Sequence, residues 1–352
     1  MKQVFLYHGG QIQPYRIGVY NYLHDYLKKS GYYLTVVSEN VQPDGHLKAE
    51  FPEIRMTFSF GSLVSLVKEK QPWGNILFIN HRARYFYPFL LFLRIYGYKT
   101  ITWTHGLNLQ NKSDKLSRLA HHLEHALCHR IILYSDDLKR YLLKKHRKKV
   151  FVANNTLNLS DYVPVREKKE DILKRYHIST RKNIVYSGRI DPRKRIYDLL
   201  EAFELIEDNE VGLIIIGPDD LGILEEKYKK SPRIFYLGPL YGKEALDLLS
   251  ASDVCCIPGA VGLGIVDSMY CGLPLVTEDV NHGPEIMYFK EGINGYMVKA
   301  GEVPALAEKL TLVLHHPELR DRLGQAARNE ILSRGHINKL SEGFLACLKS
   351  LE

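Results

Sequence analysis

Val254-Cys255-Cys256-Ile257-Pro258-Gly259-Ala260-Val261-Gly262-Leu263-Gly264, followed by Asp267-Ser268-Met269-Tyr270-Cys271-Gly272-Leu273-Pro274, is the stretch on which the fold turns. A short apolar run opens into a glycine-rich turn, then a helical stretch, then a Gly-Leu-Pro exit into more apolar residues. The pattern predicts strand, glycine loop, helix and strand. Glycines ahead of a helix let backbone amides approach an anion, and the helix N-terminus adds partial positive charge where a phosphate can sit. Asp267 falls in the first turn of that helix. Glycine at a strand-to-helix turn also serves sterics alone, so the meaning of this loop depends on a second motif.

That motif is Asn183-Ile184-Val185-Tyr186-Ser187-Gly188-Arg189-Ile190-Asp191-Pro192-Arg193-Lys194-Arg195, followed by apolar Ile196, Leu199, Leu200 and Phe203 at helical spacing. Arg189 is predicted to end a strand and Lys194 to start a helix. Cations at a helix N-terminus oppose the macrodipole unless an anion joins them. Two readings stand side by side, a clamp for a diphosphate and a solvated basic turn. For the clamp, each charge-assisted bond to phosphate contributes about 1.5 to 3 kcal/mol.

Taken together, the two motifs resemble the C-terminal half of a retaining nucleotide-sugar glycosyltransferase of family 4. The resemblance runs from about Asn183 to Ile337. It includes Gly188-Arg189, Lys194 before a Leu-Leu-Glu-Ala-Phe helix, Phe235-Tyr236-Leu237-Gly238, the glycine loop, Gly283-Pro284-Glu285-Ile286 and Glu291-Gly292-Ile293-Asn294-Gly295. It implies an α/β protein of GT-B type, two Rossmann-like domains with parallel sheets facing across a cleft. The expected division is an acceptor-side domain over 1–160, a polar linker over 161–181, a donor-binding domain over 182–335, and a helix over 336–352 returning toward the first domain.

By the same resemblance, Gly188, Arg189 and Lys194 hold the donor diphosphate. Asp267 holds ribose hydroxyls, backbone at Leu240 pairs with the base edge, and Glu285 lies near the nucleotide. Uracil and guanine both fit. The chain departs from the family at one point: two glutamates usually stand eight positions apart across the glycine loop, and here those positions are Gly259 and Asp267. Donor-sugar recognition is therefore expected either to differ from the family's or to use the backbone amides of Ala260, Val261, Gly262 and Leu263. Asp-x-Asp is absent from the sequence, so leaving-group charge is assigned to Arg189, Lys194 and the helix N-terminus without a metal. If the reaction retains configuration, the leaving phosphate serves as base. A nucleotide-sugar epimerase or hydrolase of the same fold and a binding-only homologue are the rival readings.

The N-terminal half repeats the alternation of strand and helix, with short strands expected at Val4–Tyr7, Tyr33–Val37, Ile76–Ile79, Thr100–Thr104 and Arg130–Tyr134. In such parallel sheets ligands bind beyond the carboxyl ends of the strands. Two loops sit there, His8-Gly9-Gly10 through Arg16, and His105-Gly106. Relatives in the family suggest Gly10 for close backbone approach and His105 for a sugar hydroxyl, and Arg16 is assigned to an acidic or phosphate-bearing group. Arg82 and Arg84 are acceptor-side candidates.

Length and charge fit two domains. The chain has 352 residues, enough for two cores. Residues 1–160 carry 23 Lys and Arg against 10 Asp and Glu, and the remainder 25 against 30, so a net charge of +13 faces one of −5, together +8. Much of the excess lies between Lys139 and Lys149, most simply a solvated face. With Tyr85, Phe86, Tyr87 and Phe89 nearby it also suits an anionic membrane surface, whereas no nucleic-acid recognition motif is present. Met1–Leu6 reads as a strand and not as a secretory leader, and the apolar window Phe86–Tyr96 is too short to span a bilayer. Five cysteines without a Cys-x-x-Cys pair read as reduced thiols of a cytosolic protein, and no metal site or cofactor beyond the donor nucleotide is expected.

Overall fold

The structure is a computed structural model and describes all residues except 42–47, 81–82, 110–113, 161, 163–167, 225–227 and 229. It divides into two compact units, residues 1–158 with 336–352, and residues 159–335. The chain thus leaves the first unit at Asn158 and returns at His336. The stretch expected as a linker contributes a helix, Lys169–Arg175, to the second unit, because its Ile172 and Leu173 are buried.

The first unit is a seven-stranded parallel sheet of β1 (Lys2–Ile12), β2 (Tyr32–Val41), β3 (Glu53–Arg55), β4 (Gly74–Phe78), β5 (Lys99–Thr104), β6 (Arg130–Leu133) and β7 (Val150–Val152). Their order is β3-β2-β1-β4-β5-β6-β7. β1 shows why: Val4 and Leu6 face a core shared with helices Pro14–Lys29 and Ile337–Lys349, while Phe5 and Tyr7 face a second core with helices Phe60–Lys70 and Phe86–Ile95. A strand covered on both faces has to be apolar at every position.

Three differences from the sequence expectations concern this unit. β1 continues through His8-Gly9-Gly10 to Ile12, with its register against β2 shifting between His8 and Gln11. Gly10 takes φ +80° there, so the residues expected as loop form a bulged strand end. β3 and β7, three residues each, fall below the length at which a period-2 pattern shows. Phe86 and Phe89 are fully buried core residues, so they are unavailable to a membrane surface. Exposed apolar side chains of this unit include Leu91, Ile95 and Tyr96 at the far end of the window Phe86–Tyr96 and Leu116, Leu119 and Leu123 on helix Lys115–Leu127.

The second unit is a six-stranded parallel sheet of β8 (Lys182–Ser187), β9 (Val211–Ile216), β10 (Ile234–Tyr236), β11 (Val254–Cys256), β12 (Leu275–Asp279) and β13 (Gly295–Lys299), ordered β10-β9-β8-β11-β12-β13. Helices Val303–His315 and Pro317–Glu330 follow the last strand, and Leu306, Leu310 and Val313 of the first are buried. In both units the strand order reverses beside the first strand, between β1 and β4 and between β8 and β11. Those switch points are where open parallel sheets hold ligands. Among the described residues no helix is long and apolar enough to cross a membrane, and all five cysteines are free thiols.

Candidate active site

At the β8–β11 switch the chain is drawn tight by glycines. Gly217, at φ +144° after β9, leaves no room for a side chain, since a Cβ would stand 2.6 Å from the Gly188 carbonyl carbon. Gly264, opening helix Gly264–Tyr270, would place one 2.9 Å from the Ser187 oxygen. These approaches bring the end of β8 against the glycine loop.

Lys194 does not start the following helix. Pro192–Lys194 forms a single 3-10 turn, Arg195 adopts a left-handed φ of +51°, and the helix begins at Ile196. The turn is zipped to the glycine loop: Gly259 donates its N–H to the Lys194 carbonyl at 3.0 Å and Ala260 to the Arg193 carbonyl at 2.8 Å. The Lys194 ammonium, half-buried, donates to the Ala260 carbonyl and lies beside Gly262. Burial pulls its pKa down and Arg193 adds to that, while Asp191 and Glu285 act in the opposite sense. A cation held along a glycine loop, with two further ammonium protons beyond its carbonyl partner, is arranged to receive an anion.

The same zipper accounts for Gly259. A Cβ there would lie 2.6 Å from Lys194 Cα and closer still to the Arg193 oxygen. Position 259 therefore admits no carboxylate while the basic turn keeps this place. The amide supply also differs from expectation. Ala260 N–H is taken by Arg193, and Val261 N–H donates to His282 Nδ1 at 3.1 Å, whose Nε2 lies 2.8 Å from the Glu278 carbonyl. The N–H groups of Gly262 and Leu263 donate to no acceptor among the described residues.

Asp267 lies in the first turn of helix Gly264–Tyr270, and its carboxyl has no hydrogen-bond partner among the described residues. Burial pushes its pKa up to about 7. Asp267 and Lys194 each act on the buried Cys255 thiol, which burial raises to about 12. Glu285 is buried in the turn Pro284–Tyr288, with its carboxylate folded over Gly283. His282 is the residue that sequence reasoning passed over. Its only signal is its place one step before Gly283-Pro284-Glu285.

Two further expected donor residues lie on neighbouring loops. Arg189 is exposed just past β8 and pairs with the exposed Asp220. Such a pair contributes about 0 to 1 kcal/mol, so an incoming anion displaces Asp220 at little cost. Leu240 lies in the loop after β10, past Gly238 at φ +69°, whose carbonyl accepts the Gly217 N–H at 2.8 Å.

The first unit carries its own cluster at the carboxyl ends of β1, β4, β5 and β6. Arg16 is 4% exposed, with Nη2 donating to the Tyr134 hydroxyl at 3.1 Å and its guanidinium 4.6 Å from the Trp103 ring and 5.3 Å from that of Phe78. Its Nε and Nη1 are buried without a hydrogen-bond partner among the described residues. His105 lies against Tyr134, ring centroids 4.3 Å apart, and His8 Nδ1 is 2.7 Å from the Tyr20 hydroxyl. Burial first, then the Arg16 charge, lowers the pKa of both imidazoles to about 4. At neutral pH both rings are hydrogen-bonding groups and not cations. Arg16 and His105 are thus brought together around Tyr134. Gly10 is exposed, with its N–H donated to Glu39 at 2.7 Å, Arg84 is exposed in the turn before helix Phe86–Ile95, and Arg82 lies outside the described residues.

Residues 168–330 match the family described as glycosyl transferases group 1. Similar proteins include the sulfoquinovosyl transferase SQD2 of Arabidopsis thaliana, 29% identical over 153 residues covering 42% of this chain and 29% of that protein. Another is the O-antigen chain mannosyltransferase B of Escherichia coli, 28% identical over 175 residues covering 46% and 45%. The chain thus spans less than half the length of these relatives. Among solved structures, HepE of Anabaena in complex with UDP superposes with a TM-score of 0.78 at 16% identity, covering 99% of this chain and 100% of that one. That likeness establishes the GT-B fold.

Proposed function

We propose, from the match of residues 168–330 to the family described as glycosyl transferases group 1, that the protein moves a hexosyl or related sugar from a nucleotide diphosphate sugar to a glycan or lipid-linked saccharide. The setting we assign is bacterial-type surface polysaccharide assembly. The observation that carries the reading is the Lys194 ammonium lying along the glycine loop beside the unpartnered carboxyl-bearing helix start at Asp267. Lys194 and Arg189 meet the diphosphate, the free amides of Gly262 and Leu263 add donors, and Asp267 accepts from the ribose hydroxyls. Charge that develops on the leaving diphosphate is met by these cations, with no metal in the step. In a retaining transfer the acceptor hydroxyl attacks the face from which the nucleotide departs, and the departing phosphate takes its proton.

Arg16 and His105 supply the acceptor side. A buried guanidinium with two unpartnered nitrogens favours an acceptor bearing an acidic or phosphate group, and neutral His105 suits a sugar hydroxyl. A lipid-linked acceptor places the enzyme at an anionic membrane surface, for which Leu116, Leu119 and Leu123 beside the exposed Lys115 and Arg118 supply apolar and basic contact. Calorimetric titration with UDP and GDP tests the donor site. Binding of one of them, weakened about 10- to 100-fold in Lys194→Ala, is expected, and binding indifferent to that substitution would count against the site.

A further inference from the structure

Helix Lys115–Leu127 is packed inside out. Its leucines at 116, 119 and 123 face solvent, while Ser117, His121, Glu124 and His125 are buried. Burying four polar side chains in place of three leucines is costly unless something satisfies them. Glu124 is satisfied, since it accepts from the Thr102 hydroxyl and lies 3.1 Å from His121 Nδ1. Among the described residues His125, fully buried, has no hydrogen-bond partner at either ring nitrogen. His146, 5% exposed on the short helix Lys144–Arg147, has none at Nε2, and the two rings are 6.2 Å apart.

The arrangement is that of a cation site. His121, Glu124 and His125 stand at i, i+3 and i+4, a spacing that puts all three on one helix face. Each offers one ligand atom, and these atoms lie within 4.8 Å of one another. Tetrahedral zinc with bonds of about 2.0 to 2.2 Å needs ligand atoms about 3.4 Å apart, a contraction within reach of side-chain torsions. Two imidazoles and one carboxylate form a ligand set that zinc accepts, and Thr102 holds the carboxylate as outer-shell partners do.

We propose that His121, Glu124 and His125 bind a zinc-type divalent cation, with His146 or water in the fourth position. The ion clasps helix Lys115–Leu127 to β5 through Thr102 and to the segment between β6 and β7 through His146. It is a structural ion of the first unit, separate from the residues assigned to donor binding. No cysteine takes part. Arg118, Lys145 and Lys149 lie around the cluster, which sets the affinity below that of a site with more carboxylates.

The test uses the full chain without a histidine tag, stripped with chelator and titrated with Co2+. Expected are saturable visible absorption of tetrahedral Co2+ at one ion per chain, its displacement by Zn2+, and a higher melting temperature with Zn2+. His125→Gln should abolish the absorption. Thr102→Val, which leaves every ligand in place, should weaken binding about 10-fold or more. The exposed control His316→Gln should bind like wild type. Circular dichroism identifies any variant that fails to fold, and Thr102→Val then carries the comparison. Absence of Co2+ and Zn2+ binding by the wild type, or binding unchanged in both variants, overturns the proposal.

Discussion

Gly259 has the Arg193–Lys194 backbone where a side chain would grow. Gly259→Ala should therefore cost about 1 to 3 kcal/mol or more by overpacking, read as a lower urea midpoint, and Gly259→Glu should lose nucleotide binding instead of supplying a second carboxylate. An unchanged midpoint for the alanine variant would contradict the zipper. Asp267 makes a prediction through pH. Its folded pKa of about 7 lies above the ordinary 3.8 because burial disfavours the ionised form. The folded chain thus holds this proton more tightly than the unfolded one. That contribution is fully present below about pH 4 and is lost as pH rises to about 7. Asp267→Asn removes the loss, so it should gain on the order of 2 kcal/mol over wild type at pH 8 and nothing at pH 4, about half the full linkage value because the residue keeps some solvent contact. Thermal melts across that range check it, and the same variant should bind nucleotide more weakly.

At the scale of elements, close backbone approach joins the C-terminal helix to the first unit. In helix Ile337–Lys349 a Cβ on Gly343 would stand 2.9 Å from the Cα of Ala153 just past β7. Gly343→Ala has to lift the helix off the sheet. It should destabilise by about 1 to 3 kcal/mol despite alanine's better helix propensity, whereas a stabilised variant would mean that the helix is not seated on β7. Helix Lys115–Leu127 shows what a pattern cannot reveal. Leucines at such spacing ordinarily line a core face, and the structure turns Leu116, Leu119 and Leu123 to solvent. Leu119→Glu should consequently leave the unfolding free energy within about 0.5 kcal/mol of wild type while reducing co-sedimentation with anionic vesicles. A collapse in stability would place the leucines in the core after all.

For the whole molecule, the grammar of alternating strands and helices carried the architecture. All five strands expected in the first unit are present, as are the strand, glycine loop, helix and strand from Val254 onward. What escaped the sequence has physical causes. His8-Gly9-Gly10 looks like a loop because glycine is common in loops, yet it is a bulged strand end whose pairing depends on β2 and on Ile79. The segment 161–181 reads as polar link because only two of its side chains, Ile172 and Leu173, anchor its helix. Arg16 and His125 are charged or polar by type, so their burial follows from tertiary packing alone, and His282 enters through a single bond to the Val261 amide. The residues proposed for the donor stand out in the sequence because each belongs to a contiguous motif. Arg16, His105 and Tyr134, proposed for the acceptor, do not, because four strands and Pro14–Lys29 assemble that cluster. The central claim is transfer, and the most direct measurement is nucleotide release from uridine, guanosine and adenosine diphosphate sugars, with and without pooled glycan-lipid acceptors, for wild type and Lys194→Ala. Acceptor-stimulated release from one donor, lost in the variant, is the predicted result. Nucleotide bound but never released under any acceptor, or release indifferent to Lys194, would contradict it.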